Sequence, residues 1–91
     1  MSTVLRITQI PNRDTVTLKL EGKLLHPWVP ELRSASLAAS SAGRPLRLDL
    51  QQLSFADDLG AQTLRELISH GAKIAACSDF ISELLNREQH S

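Results

Sequence analysis

The sequence predicts a small α/β domain whose helices pack on a mixed β-sheet, with elements in the order β-β-α-β-α-β-α. Residues 15–21 and 46–50 alternate between apolar and polar side chains, which is the period of a strand with one buried face. After residue 46, short apolar runs alternate with helical patterns, and such units place successive strands parallel. The 91 residues suffice for one core, so we expect a single domain, residues 1–91, with its core within about residues 4–86.

The first half of the chain is predicted to form a hairpin followed by a helix. Residues 4–10 are rich in β-branched side chains, and the turn-forming residues 11–14 connect them to the alternating run. Together they indicate an antiparallel pair of strands that ends at Gly22. Pro30 then stands where the first turn of a helix tolerates proline. The small or apolar side chains of this helix recur at helical spacing and predict core packing: Trp28, Leu32, Ala35 and Ala39.

The second half is predicted to alternate strand and helix. Residues 46–50 form a strand, and Asp57 or Asp58 caps the helix that follows, because an acidic side chain accepts the free N–H groups of a helix start. Gly71 suits the left-handed turn that ends this helix. An apolar strand, residues 72–77, leads to a last helix. The apolar stripe of that last helix comprises Phe80, Ile81, Leu84 and Leu85.

Composition and charge exclude several classes of function. Ten Lys and Arg balance ten Asp and Glu, so no basic excess is available for a nucleic-acid backbone. No apolar run is long enough to span a membrane, and the first residues do not resemble a signal peptide. The single cysteine, Cys77, excludes an internal disulfide and is expected to be a buried structural thiol. We therefore expect a cytoplasmic protein that neither binds nucleic acid nor inserts into a membrane.

Residues 46–60 carry a motif that is found in a known family. A strand ends in Asp-Leu, a short turn leads to a phenylalanine, and an aspartate and a glycine open the next helix. This order and spacing resembles the central signature of STAS domains, the sulphate-transporter and anti-sigma-factor-antagonist domains. The resemblance extends over about residues 4–85 and implies the STAS-like mixed sheet. The residues at the matching steps are Asp49, Leu50, Phe55, Asp57 and Gly60.

The resemblance implies a non-catalytic interaction domain similar to the anti-sigma-factor antagonists. Its partner would be another protein, such as a kinase-like anti-sigma factor. An alternative is an accessory subunit of an ABC-type transport system, because lone STAS domains also resemble partners of transporter ATPases; neighbouring genes would discriminate the two. In both cases binding would centre on the start of the second helix. The expected partner-binding residues are Ser54, Asp57, Asp58, Leu59, Gly60 and Arg65.

The position that carries the family's phosphorylation switch is acidic in this chain. Switch members place Ser or Thr directly after the motif aspartate, where this chain has Asp58. We therefore expect no phosphorylation at this helix start and a constant charge, smaller than the roughly −1.5 to −2 of a phosphate. The nearby hydroxyls of Ser54 and Thr63 lie before the motif and a turn into the helix, away from the N–H groups that favour phosphate. Ordinary helix capping is the alternative role for the acidic pair.

The C-terminal part of the sequence predicts an association surface. The family's usual last strand and long final helix have no counterpart after the third predicted helix. Apolar surface that they would cover is expected to stay exposed, and such patches mark interfaces. We therefore expect a homodimer or an obligate partner.

Catalytic and metal sites are weakly indicated. A third interpretation is a small enzyme that uses Asp57, Asp58 and His26 or His70, which the absence of a concave pocket beside them would exclude. No metal site is predicted, since these two histidines and His90 share no ligand spacing. No cofactor is predicted either, because the chain has no glycine-rich phosphate loop.

Overall fold

A computed structural model describes residues 4–41 and 43–87 of the chain. Among these residues five strands and three α-helices follow one another, and a short 3-10 turn, His26–Trp28, leads into the first helix. The elements are β1 (Leu5–Pro11), β2 (Val16–Leu24), α1 (Val29–Ser41), β3 (Leu46–Leu50), β4 (Leu53–Ala56), α2 (Asp58–Ser69), β5 (Lys73–Cys77) and α3 (Asp79–Arg87). The predicted order is confirmed, with one additional short strand, β4. No helix in the described ranges is long and apolar enough to cross a membrane.

The strands form one mixed sheet around the long strand β2. β1 pairs with β2 in antiparallel fashion, as the hairpin prediction requires. β3 and β4 both run parallel to β2, β3 beside its first half and β4 beside its end. β5 is parallel to β3, which confirms the predicted arrangement of the last two long strands. Because β2, β3, β4 and β5 share one direction, the chain segments that follow them all leave the same edge of the sheet.

The strand β2 does not end at Gly22, which corrects the sequence prediction. It continues to Leu24 through an irregularity in its register with β4 between Gly22 and Lys23. Gly22 has φ +103°, and a side chain there would collide with the carbonyl oxygen of Val4 on the neighbouring chain segment. Glycine is therefore used here to let a strand change register and stay close to its neighbour. The extension matters because it carries Leu24 to the start of α2.

The helices cover one face of the sheet, where the core lies. Leu18 on β2 pairs with Leu48 on β3, which pairs with Ile74 on β5, so these side chains share the helix-covered face. Trp28 packs against this core, as predicted, and remains half-buried. The opposite face carries the polar residues of the alternating pattern. The buried core consists of Leu5, Leu18, Leu20, Leu24, Val29, Leu32, Leu48, Leu50, Leu53, Ala56, Leu64, Ala72, Ile81 and Leu85.

Candidate functional site

The start of α2 is held in place by Asp57, which is the N-cap of this helix. Its Oδ1 accepts the backbone N–H of Gly60 at 2.8 Å, and its Oδ2 accepts the backbone N–H of His26 at 2.7 Å. The Asp57 backbone N–H in turn donates to the carbonyl of Leu24 at 3.1 Å. One side chain therefore joins the segment after β2 to the start of α2. Of the two aspartates that sequence reasoning left open, Asp57 is the cap.

Gly60 lies in the first turn of α2 against the end of β2. A Cβ at this position would lie 2.5 Å from the carbonyl oxygen of Leu24 and 3.0 Å from its Cγ. The same Leu24 carbonyl accepts the N–H of Asp57, so the first turn of α2 packs directly on the carbonyl that this hydrogen bond uses. Gly60 is thus required by close packing and not by an unusual backbone angle. Its role in the site is to let α2 begin directly over β2.

Asp58 and Leu59 are the outward-facing residues of the same helix start. Asp58 is the first residue of α2 and is exposed. Within residues 4–41 and 43–87 its carboxylate has no hydrogen-bond or ion-pair partner. Leu59 is also exposed, beside it. The position that the family resemblance assigns to a switch hydroxyl is therefore a solvent-facing carboxylate next to an apolar side chain.

The two hydroxyls near the helix start are both engaged in hydrogen bonds to the backbone. Ser54 on β4 is exposed, and its Oγ donates to the carbonyl of Gly22 at 3.0 Å. Thr63 is fully buried, and its Oγ1 donates to the carbonyl of Leu59 at 2.8 Å. A phosphate on Thr63 would need the helix to leave the sheet. Ser54 alone is accessible, on the strand that precedes the helix.

Arg65 is separated from the other candidate residues. Seven residues along a helix are about two turns, so Arg65 lies on the side of α2 that carries Asp58 but roughly 10 Å further along the axis. It is half-buried and lines an open cavity of about 370 Å³ between α2, β5 and α3. Apolar side chains, among them Ile68 and Leu85, line the same cavity. The structure thus brings Ser54, the two aspartates, Leu59 and Gly60 to one corner and leaves Arg65 at its margin.

His26 and His70 lie at different ends of α2 and do not come together with Asp57 and Asp58 as one group. His26 Nδ1 lies 3.9 Å from Asp57 Oδ2, but the His26 side chain points largely into solvent. His70 is at the opposite end of α2, where its Nδ1 is bonded to the carbonyl of Glu66 at 2.7 Å. Four cavities in the described residues are lined by neither Asp57 nor Asp58. His90 lies outside the described residues, and within them no three His, Cys, Asp or Glu side chains are grouped as metal ligands.

Cys77 ends β5 immediately before α3. It packs against the core but is half-buried and not fully buried, so the expected burial is only partly realised. Burial and the neighbouring Asp79 carboxylate raise the pKa of the Cys77 thiol above its ordinary value. A helix start can lower a thiol pKa, but these two effects act in the opposite direction here. Both effects disfavour the thiolate form of Cys77.

Phe80 on α3 lies beside the candidate site, although it is not among the partner-binding residues that the sequence predicts. Its ring stacks on that of Phe55 with centroids 5.9 Å apart and planes inclined by 22°. The sequence predicts Phe80 in the core stripe of the last helix, and this is wrong because the side chain is exposed beside β4. No local signal could place it here, since the pair forms only because α3 starts beside β4.

Comparisons with known proteins agree with this fold, a two-layer α/β domain with helices on one face of a mixed sheet. The family model described as "Mlab, STAS domain" matches residues 8–76, which is well over half of the chain. The chain therefore belongs to the STAS domain family, and the resemblance seen in residues 46–60 is confirmed.

Among solved structures the chain is similar to the anti-sigma factor antagonist SpoIIAA in its unphosphorylated form. The TM-score is 0.69 at 22% sequence identity, and the match covers 93% of this chain and 80% of that chain. At this identity the likeness establishes the fold. Among curated proteins, none matches the sequence.

Proposed function

We propose that this STAS domain is a non-catalytic interaction domain, similar in action to the anti-sigma-factor antagonists, and that it binds a partner protein through the start of α2. The binding residues would be Ser54, Asp57, Asp58, Leu59 and Gly60, with Arg65 at the margin. Its regulation would not use the Ser/Thr phosphorylation of switch members of the family.

The observation that carries this proposal is that the two adjacent aspartates have different structural roles. Asp57 is engaged in capping α2 and in holding the segment after β2. Asp58 has no structural task of this kind and presents its carboxylate to solvent beside Leu59. A charged group and an apolar group on a rigid, capped helix start are suited to recognise another protein surface. This corner would therefore meet its partner in one constant charge state.

The hydroxyls at the site support the proposed absence of a switch. Thr63 is buried and bonded to the backbone of its own helix, so a kinase could not reach it in the folded protein. Ser54 lies on β4, outside the helix start whose free N–H groups stabilise a phosphate. Asp58 occupies the first position of α2, where a hydroxyl would be both exposed and at the helix N-terminus.

The proposal is tested by changing the charge of Asp58 and measuring affinity. The probes are a kinase-like anti-sigma factor and a transporter ATPase from the same organism, chosen from the neighbouring genes where these encode one. Asp58→Asn and Asp58→Ser should weaken binding by about 1–3 kcal/mol if the carboxylate is desolvated in the complex. The fold should be retained, because the cap is Asp57. Calorimetric titration measures the affinity directly.

A matched control is available at the other end of the sheet. Asp14 lies in the exposed turn between β1 and β2, roughly 25–30 Å from the end of β2 by strand geometry. Asp14→Asn removes the same charge and should leave affinity unchanged. Equal effects of the changes at Asp14 and Asp58 would contradict the proposal, since they would indicate a general charge effect.

Incubation with the kinase-like protein and ATP tests the missing switch. Intact mass measurement should find no added phosphate on the wild-type chain. Asp58→Ser should gain one phosphate, because it restores a hydroxyl at the exposed helix start. A phosphate on the wild-type chain mapped to Ser54 or Thr63 would refute this part of the proposal.

The second candidate function is an accessory subunit of an ABC-type transport system. The constant carboxylate of Asp58 favours it, because a subunit that stays bound to an ATPase needs no phosphorylation to release it. Binding to the ATPase, with no measurable binding to a kinase-like anti-sigma factor, would decide for this candidate.

A further inference from the structure

Three exposed apolar side chains lie at or next to the starts of α2 and α3. Phe55 on β4 and Phe80 on α3 stack on one another and remain 39% and 48% exposed. Leu59, which is 41% exposed, follows Phe55 by four residues in the first turn of α2. We call Phe55, Leu59 and Phe80 the aromatic corner. A phenylalanine side chain cannot form a hydrogen bond with water and is stabilised when it is buried. An exposed stacked pair is therefore typical of a contact surface.

The corner is held by hydrogen bonds between two side chains and the backbone. The Ser78 Oγ donates to the carbonyl of Leu53 at 3.0 Å, which fixes the start of α3 against β4. The cap formed by Asp57 fixes the start of α2 at the end of the same strand. The apolar side chains therefore stand on three elements whose relative positions are set. A surface that is already ordered loses little conformational freedom on binding.

The charges around the aromatic corner are mainly negative. Asp58 and Asp79 are the first residues of α2 and α3, and Glu83 lies one turn beyond Phe80 on the same side of α3. On the other side stands Lys23, which pairs with Phe55 across β2 and β4. The carboxylates outnumber this cation. An apolar centre with a charged rim has the composition of a protein interface.

We propose that the aromatic corner is the apolar centre of the partner-binding surface, and that the partner contributes an Arg or Lys flanked by apolar side chains. This inference rests on the proposed function and extends the surface from α2 to α3. The exposed faces of Phe55 and Phe80 attract a cation, and a guanidinium can stack on a ring while it pairs with a carboxylate. Asp58 and Asp79 are the carboxylates placed to receive it.

The contact is tested with a photo-crosslinking amino acid, benzoylphenylalanine, placed singly at positions 59, 80 and 37 of the full chain in its native host. Leu37 is the matched control, because it is 67% exposed and lines a groove with His70 at the opposite end of α2. Mass spectrometry of the adducts should find the same partner protein attached at positions 59 and 80. The crosslinked residue of the partner should be next to a surface Arg or Lys that is flanked by apolar side chains, and position 37 should not give this adduct.

The other outcomes separate this inference from the proposed function. An adduct at position 59 without one at position 80 would overturn the role of α3 and leave the proposed function standing. Adducts at neither position would overturn both. An adduct between position 80 and a second copy of this chain would overturn the proposal of a basic partner protein and would indicate a homodimer. An equal yield of the same adduct from position 37 would show that the partner does not prefer the aromatic corner, and this would overturn the inference.

The energetic contribution is tested on the partner so identified. Phe80→Ser should weaken its binding about tenfold or more, as expected for a central aromatic side chain. Leu37→Ser, at a more exposed leucine, should leave affinity within about twofold. Circular dichroism checks that both variants fold, and Phe80→Leu should lose less affinity than Phe80→Ser. Unchanged affinity of a folded Phe80→Ser variant would overturn the inference.

Discussion

Replacement of Asp57 by alanine should destabilise the domain far more than the same replacement at its neighbour. Asp57 accepts the N–H of Gly60 at 2.8 Å and that of His26 at 2.7 Å, so two backbone donors lose their partner. Loss of an N-cap costs about 1 kcal/mol. The second bond contributes about 1 kcal/mol more, because the acceptor is charged but water can replace it at the exposed His26. We therefore expect the free energy of unfolding to fall by about 2 kcal/mol.

Asp58→Ala is the matched comparison. The Asp58 carboxylate contributes through its position at the positive end of the helix, which is about 0.3–1 kcal/mol. Alanine has a higher helix propensity than aspartate, and the difference of roughly 0.5 kcal/mol offsets most of this loss. The expected change is within about 0.5 kcal/mol of zero. The same chemical change on adjacent residues should thus differ by about 1.5 kcal/mol or more in its effect on the free energy of unfolding.

A third variant separates the two bonds of Asp57. Serine is also a good N-cap, so Asp57→Ser should keep the bond to Gly60. Its shorter side chain does not reach His26 at the same time. We expect Asp57→Ser to lose about half as much stability as Asp57→Ala, or roughly 1 kcal/mol.

Urea unfolding at neutral pH measures these differences. Trp28 is the one tryptophan of the chain and lies two residues from His26, so its fluorescence reports on the segment that Asp57 holds. Circular dichroism follows the helices, and equal slopes against urea would show that the denatured state is unchanged. A loss of 2 kcal/mol corresponds to a fall in Tm of roughly 8–16 °C for a domain of this size. Equal losses at Asp57 and Asp58, or a larger loss at Asp58, would refute the assignment of Asp57 as the cap.

Two further predictions concern buried packing and thiol chemistry. Gly60→Ala should lower the free energy of unfolding, measured in urea, by about 1–3 kcal/mol. The new Cβ would lie 2.5 Å from the Leu24 carbonyl oxygen, and this clash outweighs the higher helix propensity of alanine, which is about 1 kcal/mol. Gln62→Ala, at an exposed position of the same helix, is the control and should leave the free energy of unfolding unchanged. A Gly60→Ala variant more stable than the wild type would contradict the close packing of α2 on β2. Because burial and Asp79 raise the pKa of Cys77, alkylation of the native protein by iodoacetamide should require a higher pH than alkylation of the chain in urea. The reverse order, measured by mass spectrometry, would contradict this environment.

Side-chain periodicity was sufficient to predict most of the fold. The alternation in residues 15–21 and 46–50 indicated which face of β2 and β3 is buried, and the structure places those leucines in the core. Gly71 has φ +106° just after α2, as its predicted role at the helix end requires. These features are reflected in the spacing of side chains along a single element, so the pattern along the chain reveals them. The STAS signature added the position of the candidate site.

β4 was missed for a physical reason. It has only four residues, of which Leu53 and Ala56 are buried and the two between them are exposed, so it shows neither strand nor helix periodicity. It is a strand because β2 continues beyond Gly22 and offers it a parallel partner. Whether a short segment becomes a strand depends on the hydrogen-bond partners that the rest of the fold supplies.

The local chemistry of the chain was sufficient to indicate the elements, the apolar faces and an acidic start for α2. Which aspartate caps that helix was decided by tertiary structure, because the choice depends on the backbone N–H of His26, thirty-one residues away. The neighbourhood of Phe55 and Phe80 was decided in the same way, since their rings meet only when the sheet brings α3 to β4. Periodicity reports whether a side chain faces the core or the solvent. It does not report which exposed residues share a corner, because that depends on how distant strands pair.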